Sequence, residues 1–487
     1  MRAGWVVAWR QMTSPAGIDQ AIAWAEAAGL NTLFVQVRAS GDAYYNSRLV
    51  PRAEDIRDRP VFDPLAYALE KGHAKGLQVH AWMNAGLVWR SSTTFPLSPD
   101  HVFNAHPEWI LRDATGKLGF PDPAKDPAPG YVEEHYWVNW GHPELQKHLV
   151  EVVREVADRY AVDGIHLDFA RFPARMGPRT PGAGYDPVSV ARFKQDTGLE
   201  PAEHTREWDD WRTDQVGAVV KDVYWAVKGK HPRMDVSIAA LGAWNLAAGR
   251  NFTSYRRWLE AGIIDFAVLM SYYKDTTWIW ESVVNAGEVA DPRRIVLGLF
   301  LPHHAPEVEA QQVRLARESG LKGFALFPLD KEDMPGIDAY LPEFRRLAIT
   351  DPSDDRYSSR EPSWDRVGIV DDARKAWTLR FYSRTGNAKL VLYSRGMTAF
   401  RAKINGRPLP PLDPRSGVLQ ADVSAYLEPF KREVVGNHDF TLSVEAEGGA
   451  GFYGQVFVVD YYRRPETLAA PFLPAPANTP GAAAVRP

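Results

Sequence analysis

Val162-Asp163-Gly164-Ile165-His166-Leu167-Asp168-Phe169-Ala170-Arg171-Phe172-Pro173 is the stretch on which the reading of this chain turns. Residues 164–169 alternate in period 2, which sets His166 and Asp168 on one face of a strand and Ile165, Leu167 and Phe169 on the other. An imidazole and a carboxylate on a shared strand face require polar or catalytic surroundings. The run before it, residues 143–160, has helical spacing and enters the strand through a short connection, so Asp168 falls at the C-terminal end of a helix-then-strand unit. In a (β/α)8 barrel, active sites sit at that end. Asp163, just ahead of the strand, reads as a turn cap.

Working outward, the same unit repeats. Strands are expected at residues 4–8, 32–37, 78–83, 164–169, 236–240, 266–271, 295–300 and 323–327, which makes eight. Four of the intervening helices close on glycine followed by an apolar residue: Gly29-Leu30, Gly76-Leu77, Gly262-Ile263 and Gly320-Leu321. Glycine takes the left-handed conformation that ends a helix, and the apolar residue packs back as the chain turns into the next strand. Regular alternation of helix and strand implies parallel strands. The loops following strands are the long ones, above all residues 87–141 and 173–205, as expected for substrate-binding apparatus on one rim. The first of these carries Trp89, Trp109, Tyr131, Tyr136, Trp137 and Trp140, either as the core of a lid or as a sugar-stacking surface.

The helical rhythm stops near Ala348. The expected organisation is therefore a barrel over residues 1–349, a polar linker over 350–364, a smaller all-β sandwich over 365–463 and a disordered Ala/Pro-rich tail over 464–487. The sandwich is read from short alternating segments at 377–382, 389–393, 400–404, 418–423, 440–444 and 455–461, with Asn405-Gly406 as a hairpin turn.

The chain has 487 residues, 57 Lys+Arg against 61 Asp+Glu, and no cysteine. Near-zero net charge without a basic cluster argues against a nucleic-acid partner. The absence of cysteine removes disulfides, thiol catalysis and thiolate metal ligands. No apolar run approaches the ~20 residues of a transmembrane helix. The N-terminal AGWVVAW run is too short for a signal peptide, is interrupted by Arg10, and reads as the first strand.

At strand ends, the second strand offers Gln36 and Arg38 and then Asp42, while the third offers His80, Trp82 and Asn84 on one face, with Asn139 and His142 later in the loop. Arg171 follows Asp168, Trp244 and Asn245 follow the fifth strand, and Tyr272, Tyr273 and Asp275 follow the sixth. His303-His304 and Asp330 close the seventh and eighth. Carboxylates from different strands among tryptophans and neutral hydrogen-bonding groups suit a carbohydrate, and two acids can hydrolyse a glycosidic bond. Asp168 is assigned as nucleophile or charge-stabilising carboxylate, and Asp275 as proton donor, its pKa raised by the neighbouring tyrosines. Glu134 and Asp330 are its rivals, the latter beside Lys331. Arg38 and His80 are expected in the cleft, contacting the sugar or orienting Asp168 without doing proton chemistry, and His80 and His166 read equally as core histidines. No metal-ligand motif is present, and no cofactor is expected.

These segments resemble a known family. NTLFVQVRASGDAYYNS (31–47), QVHAWMN (78–84), HPEW (106–109), the run 139–173 and residues 263–273 together are similar to the bacterial glycosyl hydrolase-like family 10. The resemblance covers nearly all of the barrel and implies a TIM barrel and hydrolysis of a polysaccharide of the bacterial cell envelope, hence a secreted or envelope-associated protein. It also carries over Arg38, Asp42, His80, Asn84, His166, Asp168 and Arg171 as site residues. The chain departs from that pattern at Phe169, where many members have a second Asp, and in lacking a Pro-Gln pair on the sixth strand. A shorter likeness, of DGIHLDFA to the chitinase-type DGIDLDWE, puts Ala170 where that family has its acid. KINGRPL, ADVSAYL and GNHDFTLSVEA resemble a galactose-binding-like sandwich. Two functions follow as alternatives: a two-carboxylate glycoside hydrolase, or a barrel that lacks its second acid and only binds glycans.

Overall fold

Eight short runs of β-branched and aromatic residues close into a barrel in the computed structural model, which describes residues 1–90, 94–112, 136–173, 184–242, 252–274, 279, 282–283, 291–349, 363–383, 388–427 and 438–460. The strands are β1 (Arg2–Val6), β2 (Thr32–Arg38), β3 (Gln78–Asn84), β4 (Gly164–Asp168), β5 (Asp235–Leu241), β6 (Phe266–Met270), β7 (Ile295–Phe300) and β8 (Gly323–Phe327). Each pairs in parallel with its sequence neighbours, and β1 pairs with β8 to close the ring. All eight strands match the sequence expectation, with ends shifted by at most two residues.

The helices owe their limits to local chemistry. Helices α1 (Pro15–Ala27), α2 (Pro64–Ala74), α3 (Pro143–Arg159) and α4 (Pro187–Thr197) all open on proline, whose fixed φ suits the first helical position and whose missing N–H costs nothing there. Ser14, Asp63 and Asp186 cap three of them, accepting from Gly17 N at 3.1 Å, Ala66 N at 3.0 Å and Ser189 N at 2.9 Å. Gly29, Gly76, Gly262 and Gly320 take φ of 66°, 71°, 68° and 69°, the left-handed stop that their sequence context implies. On α3, Leu145, Leu149, Val152, Val153 and Val156 form the buried stripe. Among the described residues no helix is long and apolar enough to cross a membrane.

The barrel interior is packed with Ala3, Trp5, Phe34, Trp82, Phe266, Val268, Val296 and Ala325. Large aromatics supply most of this volume, at about 1.5–3 kcal/mol for each fully buried large side chain. Asp163, at the lower rim, accepts from Val79 N at 2.7 Å and pairs with His73 at 2.9 Å, which is the capping role read from its position.

The chain divides into two compact units; the second gathers Glu307–Leu321 with the residues from Arg346 onward. Its β region contains β9 (Ser363–Asp371), β10 (Ala376–Ser383), β11 (Ala388–Ile404), β12 (Arg407–Pro408), β13 (Val418–Asp422) and β14 (His438–Asp460). Here the structure corrects the reading in detail. Residues 389–393 and 400–404 belong to one long strand, as do 440–444 and 455–460, because bulges near Arg395 and Met397 let a strand bend without ending. Residues 363 and 364, assigned to the linker, begin β9. Asn405 and Gly406, both with positive φ, make the two-residue hairpin turn as expected. Val370, Leu390, Leu392, Phe400, Leu442 and Val456 are part of its core. Residues 350–362 and the expected tail lie outside the described residues.

Candidate active site

Asp168 is the last residue of β4 and sits in the barrel mouth, only 5% exposed. Both of its oxygens accept hydrogen bonds: Oδ2 from Trp82 Nε1 at 3.1 Å and Oδ1 from Phe169 N at 2.7 Å. The second bond depends on an unusual backbone, since Phe169 has φ of 52°, a left-handed conformation that a bulky residue adopts only at a cost of about 1–3 kcal/mol. That turn aims the Phe169 N–H at the carboxylate, and its carbonyl accepts from Arg171 N at 2.8 Å. Gly86 is required beside it, because a Cβ there would lie 2.3 Å from Phe169 O. Burial raises the Asp168 pKa; the Phe169 N–H, Arg171, Trp82 and Arg90 all pull the other way without cancelling it.

Aromatic rings surround this carboxylate. Tyr272 stacks on Phe327 with centroids 5.4 Å apart at 11°, and meets Trp5 edge-on at 6.3 Å and Phe300 at 5.6 Å. Burial, and then the nearby Asp168 charge, push its hydroxyl pKa far up, so it stays a proton-bearing donor. The Arg171 guanidinium lies over Trp137 at 4.9 Å and over Phe169 at 4.8 Å.

Asn84 pairs in register with Asp168, but its amide is committed: Oδ1 accepts from Gln36 Nε2 at 3.2 Å and Nδ2 donates to Ala39 O at 2.8 Å. This fixes the loop leading to Asp42, which itself accepts from Ser40 N at 2.9 Å. His101 holds the same turn through Ser40 O at 2.7 Å. Asp42 is an electrostatic neighbour of Arg38 and of Arg90, and Arg90 is a neighbour of Asp168 as well.

The expected pairing of Arg38 with Asp168 is corrected, and His80, His166 and Asn139 take up core or structural contacts. Arg38 does not grip Asp168. A bulge between Gln36 and Arg38 sets Arg38 opposite Met83, out of step with the inward-facing Phe34 and Gln36. Its guanidinium donates to Asn84 O, and its charged or titratable neighbours include Asp42, Tyr45 and His148 of α3 rather than Asp168. His80 lies at the opposite end of the barrel from Asp168, in register with Gly164, where a Cβ would come within 2.3 Å of its Nδ1. It is fully buried against Phe34 and Phe266 and, by desolvation, its pKa falls to about 4. His166 sits one layer below the mouth. Its Nε2 accepts from Trp5 Nε1 at 3.1 Å and its Nδ1 donates to Ser237 Oγ at 2.9 Å, whose hydroxyl in turn donates a hydrogen bond to Ile165 O at 3.3 Å. Burial keeps this imidazole neutral, and no ring nitrogen is left for a sugar. Asn139 Oδ1 is taken by Gly141 N at 3.1 Å and Ser189 Oγ at 2.8 Å, which ties it to the start of α4.

Trp82, Arg171, Tyr272 and Asp42 therefore gather with Asp168 around the mouth, whereas Trp244, Asp275 and Glu134 lie outside the described residues. Asp330 is engaged by Arg10 at 3.2 Å, while Lys331 pairs with Asp338 at 2.7 Å. His304 bonds Tyr273 O at 3.0 Å. Sequence reasoning missed Trp5, Phe327 and Arg90. The first two are inward positions of β1 and β8, visible from alternation; Arg90 carried no signal beyond its place after a strand-like run.

The family description glycosyl hydrolase-like 10 matches residues 1–292. Glycosyl hydrolase YngK of Bacillus subtilis is 27% identical over 265 residues, 50% of this chain and 46% of that protein. Glycosyl hydrolase DigH of Escherichia coli is 24% identical over 272 residues, 50% of this chain and 55% of that one. The chain thus spans about half the length of these relatives. In three dimensions it is similar to the PgaB (BpsB) glycoside hydrolase domain from Bordetella bronchiseptica, with a TM-score of 0.53 and 15% identity over 70% of this chain and 97% of that one. It is also similar to alpha-L-fucosidase isoenzyme 2 from Paenibacillus thiaminolyticus, with a TM-score of 0.53 and 16% identity over 75% of this chain and 51% of that one. Identities this low speak to the fold alone, and that fold is the glycosidase-type TIM barrel drawn above from its own strands. With a match that runs from the first strand through the sixth and takes in Asp168, this chain belongs to the glycosyl hydrolase-like 10 family.

Proposed function

We propose that the protein hydrolyses glycosidic bonds in a polysaccharide of the bacterial cell envelope, with Asp168 as the carboxylate that attacks or electrostatically stabilises the anomeric carbon. The observation that carries this reading is the state of Asp168: a carboxyl group in a ring-lined barrel mouth with both oxygens accepting N–H bonds, which favours the anion against the burial that opposes it. Tyr272, Trp5 and Phe327 offer faces and edges for sugar packing beside it. The second acid of a two-carboxylate mechanism is assigned to Asp275, three residues beyond Tyr272. A separation of about 5–5.5 Å between the two carboxyls would give retention and about 6.5–9.5 Å inversion.

The test is incubation with a panel of envelope and plant polysaccharides and measurement of new reducing ends. The wild-type chain is expected to release them from at least one glycan, and Asp168→Asn to lower that rate at least about a hundredfold while binding persists. The apolar Phe169 and Ala170, where related motifs carry acids, favour the alternative of a glycan-binding barrel; binding without release from any glycan would establish that reading instead.

A further inference from the structure

Among the described residues, Arg90 stands beside both carboxylates of the mouth and bonds to neither. Arg38 has Asp42 as its acidic neighbour, and the Arg171 charge acts on Asp168 ahead of that of Arg90. Arg90, immediately after the short strand Leu87–Trp89, feels both Asp42 and Asp168, yet no hydrogen bond or ion pair to it exists among the described residues. Its Nε is buried without a partner. What holds it is the Trp9 ring, with Cζ 3.9 Å from the ring centroid, while Trp9 itself remains 38% exposed. A guanidinium stays charged at neutral pH even with its pKa lowered to about 10 by burial.

A planar cation fixed on an indole, partly desolvated and with uncommitted donors, matches a carboxylate, which can take two parallel N–H bonds. Neutral hydroxyls would leave that fork without a charge-assisted partner. We propose that Arg90, backed by Trp9, reads a carboxylate carried by the glycan, so that the cleft is selective for acidic polysaccharides. The inference rests on the reading of the barrel mouth as a glycan cleft and adds to it the class of sugar.

The test is calorimetric binding to the full chain carrying Asp168→Asn, which prevents turnover. The probes are oligosaccharides of galacturonan, alginate, carboxymethyl chitin and carboxymethyl cellulose, each as free acid and as methyl ester. At least one free acid is expected to bind about tenfold or more tightly than its ester, equivalent to about 1.4 kcal/mol. The preference should weaken as salt rises from about 50 to about 500 mM. Adding Arg90→Gln should bring the two forms within about twofold of each other, and Arg90→Lys, which keeps the charge without the fork, should retain part of the preference. No preference for any acid form, or a preference that survives both substitutions, overturns the proposal. Because binding is read without turnover, that failure leaves hydrolysis through Asp168 standing, and a chain that cleaves nothing leaves the selectivity standing.

Discussion

Trp82→Phe isolates one hydrogen bond at the proposed catalytic carboxylate. In the wild-type chain Trp82 Nε1 donates to Asp168 Oδ2 at 3.1 Å, and Asp168 is too buried, at 5% exposure, for bulk water to replace that donor. A hydrogen bond to a charged group contributes about 1.5–3 kcal/mol. At about 1.36 kcal/mol per pKa unit, its loss should raise the Asp168 pKa by a further ~1–2 units. The direction follows because the bond stabilises only the ionised form. If Asp168 works as an anion, the acid limb of kcat/KM against pH should move up by the same ~1–2 units, with rates below the limb reduced about 10- to 100-fold and the plateau above it changed little. Removing part of an indole from the barrel interior should also cost about 1–3 kcal/mol in urea unfolding, so the profile is measured where the variant is fully folded. The assay is the pH profile on whichever glycan releases reducing ends, with a carbon-13 titration of the Asp168 carboxyl as a readout independent of turnover. A limb and a titration that both stay in place would refute the claim that this indole tunes Asp168.

Other outcomes follow from neighbouring groups. His80 has its folded pKa depressed to about 4 against an unfolded value of about 6.5, so its contribution to stability is present above about pH 6.5 and is lost as pH falls toward about 4, on the order of 3 kcal/mol in all; His80→Leu should flatten that part of the stability profile by urea titration at each pH. Ser237→Ala strands the His166 Nδ1 proton in the core and should cost about 1–3 kcal/mol of stability while leaving glycan affinity intact, and a loss of affinity without loss of stability would return His166 to the cleft. Asp275→Asn, assayed on one substrate with a poor leaving group and one with an activated leaving group, should keep much of its rate only on the activated one; equal loss on both removes Asp275 from the proton-donor role.

Period-2 alternation and left-handed glycines were enough to draw all eight barrel strands, because both are local: a strand must alternate its faces, and a helix must stop before the chain can turn back. The same local rules put Asp168 at a strand end and the hairpin at Asn405-Gly406. Alternation gives the face of a residue but not its depth. His80, His166 and Asp168 all point inward, yet His80 lies at the lower end, His166 bonds Trp5 and Ser237 in a middle layer, and only Asp168 reaches the mouth. A single bulge, invisible in the sequence, shifted the parity of Arg38 and turned it away from the cleft. Arg90 and Trp9 are 81 positions apart in the chain and meet only because the loops after β1 and β3 share one rim. Strands are thus specified by neighbours in sequence. The site is specified by register and bulges around a closed ring, which depend on every strand at once, and for that reason only the tertiary structure decided which of the inward-facing groups stand beside Asp168.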